Sequence, residues 1–287
     1  MKKKIIIFGS RGNLGTYLIN YLRNKYRIIS EQSLKKKINF ENVSEIKKIL
    51  QKYKPQTVIN LIAKTDVDEC EINKQLAKKS NQIIVKNIIK AIKDANNKCH
   101  FIHISTDQVY RGTTYSKNLE KSAKPINYYG QTKLWGENEA LKIQSSTILR
   151  TNFIGINKIK DKNSLSDWIV KSLRKNKKIK TYSNIMFSPL YIKTLCKYIN
   201  TVIRKKNYGI YNLGSKDSSS KYNFSIMLCK KLKLNKKLIK KIIYSTNLSR
   251  ARRPLNMSLN INKFEKIFNV KLPSIQNEIK LTAKDYL

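Results

Sequence analysis

Residues 5–15 read Ile5-Ile6-Ile7-Phe8-Gly9-Ser10-Arg11-Gly12-Asn13-Leu14-Gly15, and this stretch decides the fold. Four consecutive apolar residues are typical of a strand buried on both faces of a parallel sheet. The glycines follow the spacing Gly-x-x-Gly-x-x-Gly, and an amphipathic stretch after them, to about Asn24, predicts a helix. The segment therefore predicts a strand, a tight turn and a helix, which is the first βα junction of an α/β domain.

The glycine-rich turn is predicted to bind a dinucleotide. Glycines allow a tight turn and a close approach of the backbone to a pyrophosphate, and the helix N-terminus supplies free N–H groups and a partial positive charge. A glycine-rich turn without a ligand is the weaker interpretation, because this junction is where dinucleotides bind. The predicted cofactor-binding residues of the loop are Gly9, Arg11, Gly12, Asn13, Leu14 and Gly15.

The choice between NADH and NADPH stays open at this point. Glu31 follows the second predicted strand, where a carboxylate accepts hydrogen bonds from ribose hydroxyls and repels a 2′-phosphate. Arg11 and the lysines at 35–37 would have the opposite effect.

The rest of the first half alternates strands with helices, which implies a parallel sheet covered on both faces. We therefore predict a Rossmann-type, doubly wound α/β fold with a smaller C-terminal substrate-binding domain. The predicted strands include 26–30, 57–60, 101–105 and a possible strand at 37–40, and the predicted helices include 43–53 and 77–95.

The alternation weakens after Leu149, although 209–213 predicts one more strand of the sheet. We predict that residues 1–155 form the NAD(P)-binding domain, to which 185–214 return. Residues 156–184 and 215–287 then form the substrate-binding domain, folded over the carboxyl edge of the sheet, where ligands of open α/β sheets bind.

The composition is that of a protein with a full hydrophobic core. The 287 residues are 40% hydrophobic, and none of the apolar runs approaches the roughly 20 residues that cross a bilayer, so no membrane partner is expected. The four cysteines are far apart and include no Cys-x-x-Cys pair, which argues against a zinc cage or a disulfide framework. Free thiols in a reducing cytoplasm are the simplest interpretation.

A formal charge of +42 raises the hypothesis of nucleic-acid binding. Only 10 of the 60 basic residues are arginine, however, and the lysines are scattered along the whole chain. Base reading and bidentate phosphate contacts favour arginine, so we expect no specific nucleic-acid site. The charge would still attract an anionic substrate.

The chemistry is predicted from Tyr129-Gly130-Gln131-Thr132-Lys133, in which the tyrosine and the lysine share one helix face. An ammonium about 4 Å away contributes on the order of 4 kcal/mol, enough to lower a phenol pKa from about 10 towards 7. The spacing alone is weak evidence in a chain with 16 tyrosines. The strand that ends in Ser105-Thr106-Asp107 adds weight, because it places the Thr106 hydroxyl at the same edge of the sheet. We expect His100 and His103, in or beside this strand, to be structural.

Together these blocks resemble the extended short-chain dehydrogenase/reductases, and most closely the dTDP-4-dehydrorhamnose reductase family. The resemblance covers almost the whole chain. It includes the glycine loop, 60–68, 105–107, 125–137, Leu149-Arg150-Thr151 and Arg253-Pro254. It implies a catalytic triad of Thr106, Tyr129 and Lys133, cofactor contacts at Ala63, Thr65, Tyr129 and Lys133, and substrate contacts at Val67, Asp107, Gln108, Phe153 and Arg253.

The chain departs from this family's pattern at two pocket positions. Gln108 stands where the family usually has tyrosine, and Phe153 stands where it has tryptophan. The related 4,6-dehydratases place a glutamate at the position of Gln108 to remove a proton, and an amide cannot do so. A glutamate that binds magnesium in some relatives corresponds here to Tyr17, so no metal is predicted.

The resemblance therefore implies reduction of a 4-keto nucleotide-sugar by NADPH or NADH, for a deoxysugar of a surface polysaccharide. The alternative is a non-catalytic regulatory subunit of the same fold that binds NAD(P) or a nucleotide-sugar. The nucleotide, the sugar and the oligomeric state stay open, a homodimer being one arrangement that the sequence allows.

Overall fold

The computed structural model describes residues 2–34, 38–113, 117–245 and 251–287. The strands are β1 (Lys4–Phe8), β2 (Arg27–Ser30), β3 (Thr57–Asn60), β4 (His100–Thr106), β5 (Ser146–Thr151), β6 (Phe153–Ile154), β7 (Ile179–Tyr182), β8 (Met186–Phe187), β9 (Leu190–Tyr191), β10 (Gly209–Leu213), β11 (Ser219–Ser220), β12 (Ile239–Ile242) and β13 (Asn256–Met257). The α-helices are α1 (Asn13–Leu22), α2 (Val43–Tyr53), α3 (Val67–Ile72), α4 (Lys74–Lys78), α5 (Ile84–Asp94), α6 (Tyr128–Ala140), α7 (Leu165–Arg174), α8 (Ile192–Lys205), α9 (Lys221–Lys231), α10 (Asn262–Phe268) and α11 (Ile275–Lys284).

Six parallel strands form the central sheet in the order β10-β5-β4-β3-β1-β2. Successive side chains of β1 enter the cores on opposite faces. Ile5 and Ile7 pack with α1 and α8, while Ile6 and Phe8 pack with α2 and α5. Because both faces of the sheet are covered, the apolar run at 5–8 is buried throughout. The predicted doubly wound α/β fold is confirmed.

Two predicted elements differ from the structure. The predicted helix at 77–95 is interrupted by a π-helical turn at Lys79–Ile83, where the Asn81 side chain bonds to the Lys64 backbone and to Thr132 of α6. The possible strand at 37–40 is wrong for 38–40, because Asn42 donates a turn hydrogen bond to Asn39 and then caps α2. Residue 37 lies outside the described residues.

A third core, apart from the two that cover the central sheet, is built from short strands and helices of the later part of the chain. It includes Ile169, Phe187, Phe224, Leu228 and Ile279. The small sheets around it have the orders β11-β8-β13 and β12-β7. Helix α10, by contrast, packs on β10 and α8 and contributes Phe264 and Phe268 to a core of the central sheet. None of the described helices is long and apolar enough to cross a membrane.

Candidate active site

The glycine loop has the backbone geometry that a phosphate-binding turn needs. Gly9 has φ +82°, a left-handed conformation that side chains disfavour, and a Cβ on Gly15 would lie 2.6 Å from the carbonyl oxygens of Gly9 and Ser10. Within this described loop, no side chain caps the N-terminus of α1, which begins after Gly12. Its first N–H groups therefore point towards the cavity in front of the loop, as an anion site requires.

Glu31 holds this loop from behind. Its carboxylate accepts hydrogen bonds from the backbone N–H groups of Gly9 (2.8 Å) and Ser10 (3.2 Å) and from the Ser10 hydroxyl (2.5 Å). Glu31 is also buried. Glu31 follows β2, as the sequence predicted. Its hydrogen bonds to the glycine loop of the protein itself were not predicted.

A cavity of about 530 Å³ extends from this loop across the carboxyl edge of the sheet. All but one of the residues predicted to contact cofactor or substrate line it, and Arg253 is the exception. The predicted residues in its wall are Gly9, Arg11, Gly12, Asn13, Leu14, Gly15, Ala63, Thr65, Val67, Thr106, Asp107, Gln108, Tyr129, Lys133 and Phe153.

The three residues of the predicted triad meet at this edge. Thr106 ends β4, and Tyr129 and Lys133 lie in the first turns of α6. Asn127 fixes where that helix begins, because its side chain accepts from the Gly130 N–H at 2.8 Å. The Tyr129 phenol forms a hydrogen bond with Thr106. The structure thus brings together a phenol, a hydroxyl and an ammonium beside the glycine loop.

The expected lowering of the phenol pKa is wrong for the chain by itself. Burial raises the pKa of Tyr129 well above its ordinary value; the bond with Thr106 opposes this, while the Asp107 carboxylate adds to it. The reason is that Tyr129 is almost fully buried and that the Lys133 ammonium donates to the carbonyl oxygen of Ile104, at 2.6 Å.

Lys133 is buried beside a histidine. Its Nζ lies 3.4 Å from Nε2 of His103. Burial lowers the pKa of Lys133 to about 8, and the nearby Glu137 carboxylate counteracts part of that effect. An ammonium held at this depth keeps its charge at neutral pH and can donate to a ligand in the cavity.

The two histidines have protein partners. Nδ1 of His103 lies 3.2 Å from the Asn60 side-chain nitrogen, and burial holds the pKa of His103 well below its usual range. Nε2 of His100 lies 2.7 Å from the Thr147 hydroxyl, and burial lowers the pKa of His100 to about 4. Among the described residues there is no cluster of three His, Cys, Asp or Glu side chains that could hold a metal.

Asp107 is buried next to the triad. Its carboxylate accepts from the Asn152 side chain at 2.7 Å and from the Thr106 hydroxyl at 3.2 Å. Burial raises the pKa of Asp107 to about 6, although these bonds and the Lys221 ammonium oppose the rise. Asn152, which sequence reasoning missed, also lines the cavity.

Asn81 is a second residue that the sequence did not single out. Its side chain accepts from the Lys64 N–H at 2.8 Å and donates to the Lys64 carbonyl and to the Thr132 hydroxyl at 3.0 Å. The π-helical turn thereby joins the segment at 63–65 to α6. Asn81 stands among the polar residues Lys79, Ser80 and Gln82, so the local sequence carried no signal of this role.

Arg253 lies beside the cavity wall. Its guanidinium forms an ion pair with Asp68 at 2.7 Å, and Asp68 also accepts from the Ala251 N–H at 3.1 Å. Asp68 directly follows the cavity-lining Val67. Arg253 is therefore held next to the predicted substrate side and, in this arrangement, is paired with a protein carboxylate.

A parallel sheet, a glycine loop at the first βα junction and a Thr-Tyr-Lys triad at the carboxyl edge together define an extended short-chain dehydrogenase/reductase. The chain belongs, more particularly, to the family described as RmlD substrate binding domain, whose model matches residues 2–287.

Comparisons with three named proteins agree with this assignment. The chain is 26% identical to dTDP-4-dehydrorhamnose reductase of Escherichia coli over 96% of this chain and 95% of that protein. The crystal structure of a dTDP-4-dehydrorhamnose reductase ortholog from Clostridium acetobutylicum is 26% identical, with a TM-score of 0.86 and 98% of each chain covered. The dTDP-4-dehydrorhamnose reductase of Bacillus anthracis, solved in complex with NADP, has the same fold, with a TM-score of 0.88, 24% identity and 98% of each chain covered. The predicted family is confirmed.

Proposed function

We propose that this protein reduces the 4-keto group of a nucleotide-sugar with NADPH or NADH, in the synthesis of a deoxysugar for a surface polysaccharide. One observation carries the proposal: the glycine loop and the Thr106-Tyr129-Lys133 triad line a single cavity. Membership of the family and similarity to dTDP-4-dehydrorhamnose reductases support a dTDP-linked substrate.

The loop fits a dinucleotide. A Cβ on Gly12 would meet only the Gly9 carbonyl oxygen, at 3.3 Å, so the backbone there can approach a phosphate closely. Arg11 is exposed beside it and supplies a positive charge. Lys133 would bind the nicotinamide ribose. The cofactor, when bound, supplies the hydride that forms the new C–H bond at the sugar C4.

The protein supplies the proton. Hydride arrival converts the carbonyl oxygen into an alkoxide, which is a far stronger base than a phenolate, so Tyr129 can donate its proton even with a raised pKa. The products are a C4 hydroxyl and a phenolate, which recovers its proton from solvent. Thr106 orients the carbonyl oxygen, and the Lys133 ammonium stabilises the phenolate through its charge.

In this proposal residues 156–184 and 215–287 form the substrate-binding domain, except that α10 packs on the central sheet. Arg253 would exchange its partner Asp68 for the substrate diphosphate, because a guanidinium binds phosphate oxygens through paired hydrogen bonds. Val67, Asp107, Gln108 and Phe153 would surround the sugar. Dehydration is disfavoured, because the Gln108 amide cannot remove a proton.

The test is direct. Purified protein mixed with a dTDP-4-keto-sugar should oxidise NADPH or NADH, and Tyr129→Phe should lower turnover by about 10² to 10⁴-fold while the variant still binds the cofactor. Tyr128→Phe is the matched control, since Tyr128 precedes it on the same helix and does not line the cavity. Full turnover by Tyr129→Phe would refute the acid assignment.

The non-catalytic alternative is not favoured, because a binding subunit does not need the complete triad. It would gain support if the protein bound cofactor and nucleotide-sugar but oxidised no NAD(P)H on a panel of keto-sugars. We also propose that the protein works in the cytoplasm; the four cysteines, all buried free thiols, fit a reducing compartment.

A further inference from the structure

Gln108 is held between Thr106, at the end of β4, and the helix α6, which carries Tyr129 and Lys133. Its backbone N–H donates to the Thr106 hydroxyl at 3.2 Å. Its carbonyl oxygen packs so closely on α6 that a Cβ on Gly130 would lie 2.2 Å away. The position of residue 108 is thus set by the end of β4 and by the start of the catalytic helix.

The Gln108 side chain extends from there to the C-terminal part of the chain. The Asn127 side-chain oxygen accepts from Gly130, so its nitrogen is the donor towards Gln108 Oε1, at 2.9 Å. The same nitrogen donates to the Arg252 carbonyl, also at 2.9 Å. The Gln108 Nε2 donates to Sδ of the buried Met257 at 3.0 Å.

These contacts hold residues 251–257, the Arg253 segment, from one side. Asp68 holds the same segment from the other side, through the Ala251 N–H and the Arg253 guanidinium. The segment is therefore clamped between α3, which begins at Val67 and carries Asp68, and the N-terminus of the catalytic helix. Gln108 belongs to the clamp and also lines the cavity.

We propose that Gln108 is a positioning residue for the nucleotide-sugar, through which the catalytic helix holds the Arg253 segment at the diphosphate. This rests on the proposed function, whose substrate it concerns. Glutamine suits the place, because its amide satisfies both a donor at Asn127 and an acceptor at Met257. A carboxylate would add a negative charge beside Asp107 and near a dianionic diphosphate.

The experiment compares wild type with Gln108→Met, which keeps the length of the side chain and removes the hydrogen bonds. We expect the KM for the dTDP-4-keto-sugar and the calorimetric Kd for dTDP to rise about tenfold, or about 1.4 kcal/mol, within the range of a lost hydrogen bond. The kcat should stay within about threefold of the wild-type value, and the Kd for NADPH should not change. This is the pattern expected when a variant loses binding that is equally strong in the ground state and the transition state. Gln75→Met, an exposed position on α4, is the matched control.

A dTDP Kd equal to that of wild type would overturn the proposal, and so would a parallel loss of NADPH affinity, which indicates general damage to the site. Gln108→Leu repeats the test if the methionine variant does not fold. If wild type binds dTDP but reduces no keto-sugar, the reductase proposal fails while the dTDP titrations still decide the role of Gln108. If wild type does not bind dTDP, the positioning role is refuted.

Discussion

The Arg150 guanidinium donates to both carboxylate oxygens of Glu137, and both side chains are fully buried. Glu137 lies one turn beyond Lys133 on α6, and Arg150 lies in β5, so this ion pair joins α6 to the sheet. Ser105, next to Thr106, donates to the same carboxylate. The pair therefore helps to hold the strand end and the helix of the triad in one arrangement.

Removing the charge of Glu137 should destabilise the protein strongly. Glu137→Gln leaves the Arg150 guanidinium buried without a counter-charge, which costs about 3 to 5 kcal/mol in comparable cases. We expect the free energy of unfolding, measured by urea denaturation, to fall by about 3 kcal/mol.

A matched control exists on the same helix. Glu139 pairs with Lys142 at 2.7 Å, but the lysine side chain is half exposed. Glu139→Gln should change the free energy of unfolding by less than about 1 kcal/mol, because water solvates the exposed Lys142 ammonium when its partner is neutral. Equal effects of the two substitutions would show that burial of the Glu137 pair is not what makes it important.

The buried Asp107 should reduce stability at neutral pH. Burial raises its pKa to about 6, so the folded state binds a proton more tightly than the unfolded state. The stability that this tighter proton binding gives the folded state is therefore present at acid pH and is lost as the pH rises through about 6. Asp107→Asn should raise the free energy of unfolding at pH 7 by up to about 3 kcal/mol and flatten its pH dependence between about 4 and 6.

The same substitution should weaken binding and turnover of the keto-sugar, because Asp107 lines the cavity beside Thr106. Urea denaturation at several pH values, together with steady-state kinetics, checks both effects. A variant that is less stable than wild type at pH 7 would contradict the role assigned to burial.

Local patterns predicted the parts of the fold that depend on neighbours in sequence. The apolar run at 5–8, the glycines and the amphipathic helix fix the first βα junction by themselves, and the alternation that follows fixes the parallel sheet. The residues of the cavity wall could be predicted for the same reason, since the ends of parallel strands share one edge.

Contacts between residues far apart in the chain could not be predicted from the sequence. The π-helical turn depends on bonds from Asn81 to Lys64 and Thr132, and the pairing of Arg253 joins residues 185 positions apart. The phenol pKa was predicted with the wrong sign because the spacing to Lys133 shows the attraction of the ammonium but not the burial of Tyr129. Burial is a property of the assembled fold.

The Glu31 carboxylate should affect cofactor affinity through the glycine loop that it holds. Its carboxylate accepts three hydrogen bonds from Gly9 and Ser10, so Glu31→Gln, whose NH₂ group cannot accept, should loosen the loop that both dinucleotides use. We expect the Kd for NADH and for NADPH, measured by fluorescence titration, to rise together by about tenfold, at the scale of one charge-assisted bond. A loss confined to NADH would instead mean that Glu31 recognises the ribose hydroxyls.

The charge of Lys133 should set the alkaline limit of the reaction. Burial lowers its pKa to about 8, so the ammonium is present below that pH and is lost above it. The kcat/KM for keto-sugar reduction should therefore be level near pH 7 and fall about tenfold per pH unit above about 8, as for one essential protonated group. Lys133→Arg keeps its charge to much higher pH, so whatever activity this variant retains should lack the fall near 8. A wild-type midpoint close to 10.5, the ordinary value for lysine, would show that the buried environment does not control this group.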